Sequence, residues 1–247
     1  MVKVTEDNKE SSAQLLDPGF GDLYIEVRRK EKRVLSDCQV MFLPDIEPSH
    51  IYFDEWQLRK RSSKRLIAYL EKKNQPLKIL EIGCGNGWLS SKCAAIAGSE
   101  VTGIDVSDEE ITQAKRLFKK DNLEFRLDSF DPEKFSGGKF DIILFAASIQ
   151  YFPSVKTILC DALSCLSEKG EVHILDSHFY KRNEIQGAAK RTKDYYSALG
   201  YPEMAAYYFH HAIDDLDEFN WEVLANPRGI YNKFTKREPF YWIVIKH

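Results

Sequence analysis

Short strand-like runs at residues 79–82, 100–105, 123–127 (which alternates apolar and charged), 140–145 and 171–176 are interspersed along the middle of this chain with segments of helical spacing. Residues 88–95 are compatible with a helix. Ile111, Ala114, Leu117 and Phe118 share one face of a second, and residues 155–166 form a third. Strand and helix in turn predict an α/β fold with a mainly parallel sheet. The run at 140–145 is too apolar for a sheet covered on one side, so it reads as a central strand. Ser107-Asp108-Glu109-Glu110 has the form of a capping box opening the second helix. Ahead of this region, a helix over 54–72 places Trp56, Ser63, Leu66, Ile67 and Leu70 on one face and leaves Arg59, Lys60, Lys64 and Lys73 solvated. Residues 23–27 read as a strand, followed by a charged turn at 28–33, and residues 1–18 as a loosely attached tail. Pro132 and Gly137-Gly138 mark a loop, and Glu168-Lys169-Gly170 a turn. Beyond 176, a tyrosine-rich stretch to 209 predicts helices over the strand ends. A short helix at 213–219 and strands at 221–224 and 240–245 follow.

Composition narrows the choice of function. A net charge of −3 over 247 residues argues against a dedicated nucleic-acid binder. The basic run at 58–65 therefore reads as a solvated helix face rather than a phosphate-binding surface. No apolar run approaches the ~20 residues that cross a bilayer, and the polar start lacks a signal-peptide core. Five cysteines without CxxC pairing or metal-ligand spacing fit reduced thiols, so a cytoplasmic protein without a metal is expected.

The candidate chemistry lies where the first strand ends. Glu81-Ile82-Gly83-Cys84-Gly85-Asn86-Gly87 is an acid-x-Gly-x-Gly-x-Gly loop between a strand and a helix, an arrangement that offers backbone N–H groups to a ligand. A dinucleotide fingerprint would carry its third glycine at position 88, which is Trp88. Asp105 ends the second strand about 20 residues later, where a carboxylate can accept from both ribose hydroxyls. In this order the motifs resemble those of class I S-adenosylmethionine-dependent methyltransferases, from residue 76 to 247.

That resemblance implies a Rossmann-like, seven-stranded, mostly parallel sheet with an antiparallel last strand inserted between the fifth and sixth and helices on both faces. Residues 1–75 would be an extension packed on the core, and 178–211 a cap after strand five. It implies S-adenosylmethionine as cofactor, with Glu81 near its ammonium group and Gly83, Cys84, Gly85, Asn86 and Gly87 beneath its methionine and ribose. Asp105 would hold the ribose, Asp128, Ser129 and Phe130 the adenine, Val106 would also contact the cofactor, and Ala146 would line the methionine end. For Cys84 the favoured reading is simply a small side chain that fits. Tyr151 and His178, at the ends of strands four and five, are the catalytic candidates. His210 and His211 are further candidate bases, while His173 reads as a core residue. The expected acceptor is a small or medium organic molecule, methylated at oxygen or nitrogen, with neither nucleic acid nor membrane as partner. A non-catalytic module on the same fold and an NAD-linked oxidoreductase are the alternatives. Trp88 and the antiparallel strand argue against the latter.

Overall fold

In the computed structural model, which describes residues 19–135, 138–229, 232 and 239–247, the chain enters through three helices. These are α1 (Phe20–Lys30), α2 (Asp37–Phe42) and α3 (Phe53–Glu71). Then follow β1 (Lys78–Ile82), α4 (Trp88–Cys93), β2 (Glu100–Asp105), α5 (Asp108–Leu117), β3 (Leu123–Leu127), α6 (Pro132–Phe135), β4 (Phe140–Ala146), α7 (Val155–Ser164) and β5 (Leu166–Ser177). The remainder comprises β6 (Phe179–Tyr180), α8 (Ile185–Leu199), β7 (His211–Ala212), β8 (Asn220–Ala225) and β9 (Tyr241–Lys246).

Seven strands form one sheet in the order β3-β2-β1-β4-β5-β9-β8. The first five are parallel, and β9 runs antiparallel between β5 and β8. This is the inserted last strand that the resemblance implied. Alternate strand residues feed two cores, as the pleat requires. Leu80, Ile82, Ile143, Phe145 and Ile243 pack with α7 on one face. Ile79, Ile142, Leu144 and Val244 pack with Leu66 and Leu70 of α3 and Leu89 of α4 on the other.

Residues 23–27 are not a strand but the middle of α1. Aromatic and β-branched composition suggests a strand, yet Phe20, Tyr24 and Val27 fall at i, i+4 and i+7 and share a contact cluster with Tyr196 and Met204 of the cap. The expected turn at 168–170 lies within β5, where Gly170 approaches β4 so closely that a Cβ would sit 2.8 Å from the Phe140 carbonyl oxygen. The loop expected at Pro132 is the short α6. The helix expected at 213–219 is a single 3₁₀ turn, Ile213–Leu216. The tail at 1–18 lies outside the described residues, as does Gly137.

Candidate active site

The parallel strands all end at one edge of the sheet, and β1 and β2 deliver the first elements of the site there. Gly83 and Cys84 both donate their N–H groups to the Ile104 carbonyl, at 2.9 and 3.0 Å, which pins the glycine loop against β2. Asp105 fastens the loop from the other side. Its Oδ2 accepts the Gly85 N–H at 2.8 Å and its Oδ1 the Ser107 N–H at 2.9 Å. Burial pushes this carboxyl up, and those backbone N–H groups pull it down.

The loop and its surroundings bound a cleft with two halves that share Tyr24, Gly83, Gly85 and Ala147. In one half lie Asp105, Val106, Asp128, Ser129 and Phe130, with Phe20 and Tyr151 opposite. In the other lie Glu81, Cys84, Asn86, Trp88 and Ala146. Of the loop residues expected there, Gly87 lines neither half. Its φ is +76°, it caps α4, and a Cβ would fall 2.4 Å from the Phe125 ring, so its glycine serves packing. Glu81 is 2% exposed and accepts from Ser90 Oγ. Burial first, then the Asp105 charge, push its carboxyl up to about 8 against the pull of the Ser90 hydrogen bonds. The forecast capping box is half formed. Ser107 Oγ accepts the Glu110 N–H at 3.5 Å, but the Glu110 carboxylate points to Gly85 rather than back to the cap. Burial pushes the Cys84 thiol well above its usual value, so it stays protonated and unreactive.

Beyond the cleft opens a cavity of about 460 Å³. Its floor is Ala147, Gln150, Tyr151, Asp176, Ser177 and His178 at the ends of β4 and β5. Ala147 and Asp176 have φ of +56° and +54°, a strained geometry for residues with a Cβ. The Ala147 N–H reaches the Leu175 carbonyl at 2.9 Å, so the two kinks are neighbours and turn both strands away together. One wall is Tyr24, Arg28, Glu31, Arg33, Glu55 and Arg59, and the other Arg191, Thr192, Tyr195, Tyr196 and Tyr208. The walls meet where Tyr195 donates to Glu31 at 2.6 Å.

His178 is exposed to this cavity, its ring 4.6 Å from that of Phe240, and partial burial and then the Arg191 charge hold its imidazole below the usual value. His210, His211 and His173 are engaged. His210 Nε2 lies 2.9 Å from Thr192 Oγ1, and His211, 5% exposed, lies 3.2 Å from the Ile149 carbonyl. His173 is wholly buried, accepts from Trp242 Nε1 at 3.1 Å and faces Glu171 at 3.1 Å, a satisfied core residue. Arg59, expected to be solvated, lies in the cavity wall and bonds Glu55 at 3.0 Å. A helical wheel drawn around apolar residues cannot identify a cation turned inward toward an acid on its own helix. Tyr24 and Arg28 were missed because their helix reads as a strand and a charged turn, and Asp176, near the end of β5, was missed as well. Only Asp176, an acid ending an apolar strand like Asp105, carried a legible signal. Among the described residues no group of His, Cys, Asp and Glu could hold a metal, and no helix is long and apolar enough to cross a membrane.

A family model for the methyltransferase domain matches residues 79–170, the stretch that contains the glycine loop, Asp105 and Asp128. The structure superposes on magnesium protoporphyrin IX methyltransferase from Synechocystis PCC 6803, solved with bound SAH, with a TM-score of 0.58 and 15% identity over 96% of this chain and 100% of that one. The fold is that of a class I S-adenosylmethionine-dependent methyltransferase. The plantazolicin methyltransferase BpumL, in complex with a desmethylPZN analog and SAH, shares this methyltransferase fold at a TM-score of 0.56 and 16% identity, over 99% of this chain and 100% of that one. The malonyl-[acyl-carrier protein] O-methyltransferase of Bacillus cytotoxicus is 29% identical over 152 residues, which are 58% of this chain and 52% of that protein. The ubiquinone biosynthesis O-methyltransferase of Glaesserella parasuis is 30% identical over 118 residues, 44% of this chain and 50% of that protein. The chain thus spans about half the length of these curated relatives.

Proposed function

We propose that this protein transfers a methyl group from S-adenosylmethionine to a small or medium organic acceptor. The observation that carries this reading is the continuity of the site: the glycine-loop cleft opens at Tyr24 and Ala147 into the large cavity beneath α1 and α8. The residues fit the cofactor. Asp105 spends one lone pair of each oxygen on a backbone N–H and keeps others for the ribose hydroxyls. Asp128 and Ser129 supply a polar edge beside the apolar Val106 and Phe130, as adenine requires, although Asp128 also pairs with Lys134 at 2.5 Å. Glu81 lies in the other half of the cleft, where an ammonium group would ionise it.

S-adenosylmethionine, when bound, supplies a methyl group already activated on a sulfonium. The protein's task is then to align the acceptor, exclude water and take up its proton. Tyr151 lines both the cofactor cleft and the cavity, so it can position the acceptor atom. His178, uncharged at neutral pH, can take the proton from an acceptor hydroxyl or amine.

Calorimetry with S-adenosylhomocysteine and with NAD tests the cofactor, and Asp105→Ala should weaken the former by ~30- to 150-fold, the equivalent of about 2–3 kcal/mol. Labelled S-adenosylmethionine incubated with metabolite pools should label a small molecule, and His178→Ala should slow that turnover while cofactor affinity holds. Label entering only RNA or protein, or no label at all, would overturn the reading.

A further inference from the structure

We infer that the acceptor carries a carboxylate and that Arg28, with the Tyr24 and Tyr151 hydroxyls, forms its seat. This deepens the methyltransferase reading and rests on it.

The charged groups of the cavity divide into those already satisfied and those that are not. Glu55 is shared by Arg33 at 2.7 Å and Arg59 at 3.0 Å. Asp176 accepts from Ser62 at 2.9 Å. Glu31 accepts from Tyr195 at 2.6 Å, with Arg33 also near at 3.4 Å. Arg28 is left with one long contact, 3.4 Å to Glu31, and its Nε is buried without any hydrogen-bond partner. A guanidinium is costly to leave so poorly matched inside a protein, and its planar fork is shaped for a carboxylate. Here it lies over the Tyr24 ring, 5.4 Å from the centroid, and the Tyr24 and Tyr151 rings meet edge-on at 5.6 Å.

Position decides which carboxylate belongs there. Tyr24 and Arg28 line both the glycine-loop half of the cleft and the acceptor cavity. Tyr151 lines the cavity but not the half that contains Glu81 and Asn86. Tyr24 and Tyr151 also line the Asp105 half of the cleft, but only the acceptor cavity is lined by all three groups, so a carboxylate that touches them together is assigned to the acceptor side. On the far wall Arg191, for which the described residues supply no acidic partner, adds positive charge and favours an anionic occupant.

The test compares 4-hydroxybenzoate, 3-phenylpropanoate and decanoate with their primary amides, by calorimetry, with and without S-adenosylhomocysteine. At least one acid should bind about tenfold or more tighter than its amide, the size expected of a charge-assisted pair. Arg28→Gln should remove that preference and Arg28→Lys restore part of it. Tyr151→Phe, which keeps the ring packing, should reduce it. S-adenosylhomocysteine and 5′-methylthioadenosine should bind wild type and Arg28→Gln alike. The inference falls if no acid is preferred over its amide, or if the preference survives Arg28→Gln. It also falls if Arg28→Gln weakens S-adenosylhomocysteine but not methylthioadenosine, which lacks the amino-acid end, because Arg28 would then serve the cofactor. Failure of the wild type to bind S-adenosylhomocysteine would instead sink the methyltransferase reading, since the acid-to-amide ratio is measured without it too.

Discussion

Glu81 shows how one residue can be legible by type and illegible by state. Its place at the head of the glycine loop is plain in the sequence, but its protonation depends on neighbours that only folding brings together. It is sealed from solvent and faced by the Asp105 charge, so its carboxyl is pushed up to about 8 despite its hydrogen bond from Ser90. In the unfolded chain the same group ionises near the ordinary carboxylate value. Between that value and about 8, the folded state holds a proton that the unfolded state has released. Stability of the ligand-free protein should therefore fall as pH rises through this window and level off above it. Glu110, pushed up to about 7 by burial and then by Asp105, acts in the same sense. Melting temperatures measured from pH ~5 to ~8 should decline less steeply for Glu81→Gln than for the parent, the remaining slope coming from the other shifted groups, Glu110 and Asp105 among them. Equal slopes would mean that Glu81 is already ionised. Asp105, Val106 and the Asp128-Ser129-Phe130 run could be placed in the cleft because each stands at or just after the end of a strand that the sequence showed. Arg28 was not, because its role depends on a helix that its own sequence disguises.

At the scale of elements, the strand-loop-helix unit from β1 to α4 divides its labour among glycines that look equivalent in the sequence. Gly85 opens on the cleft, whereas Gly87 fits against Phe125 and Ala114 beneath α5. Gly87→Ala would place a Cβ 2.4 Å from the Phe125 ring at a φ of +76°. Without touching a group in the cleft, it should cost about 2–4 kcal/mol of stability from the forced φ and the overpacking together. Urea unfolding would measure that loss, and a change under about 0.5 kcal/mol would show that the helix gives way easily. The alternating apolar runs revealed the central strands because burial on both faces imposes one composition on them. The helix α1 escaped notice for the opposite reason. Leu23, Ile25 and Val27 alternate like a strand, while the helical face Phe20-Tyr24-Val27 gains its meaning from Tyr196 and Met204, far along the chain.

For the whole molecule, the three N-terminal helices complete both a core and a site. Leu66 and Leu70 of α3 are fully buried against the sheet, and α1 bears Tyr24 and Arg28. Arg29 pairs with Glu109, and Asp37 with Arg116 at 2.7 Å, so the segment is also fastened to α5. A chain beginning at Gln75 would expose those leucines' partners, at about 1.5–3 kcal/mol for each side chain lost. It should fold poorly and bind S-adenosylhomocysteine weakly. Near-ultraviolet circular dichroism and calorimetry would check this, and full binding would make the segment a separable appendage. The arrangement of β5, β9 and β8 has a consequence for how the protein is made. β8 joins the sheet only through β9, which is synthesised after it. Until residues 241–246 leave the ribosome, β5 keeps one apolar edge unpaired and β8 has nowhere to dock. Throughout that interval the nascent chain presents a template on which another copy's strand could pair, so a period open to misassembly lasts until β9 emerges, when the cofactor cleft already has all its residues.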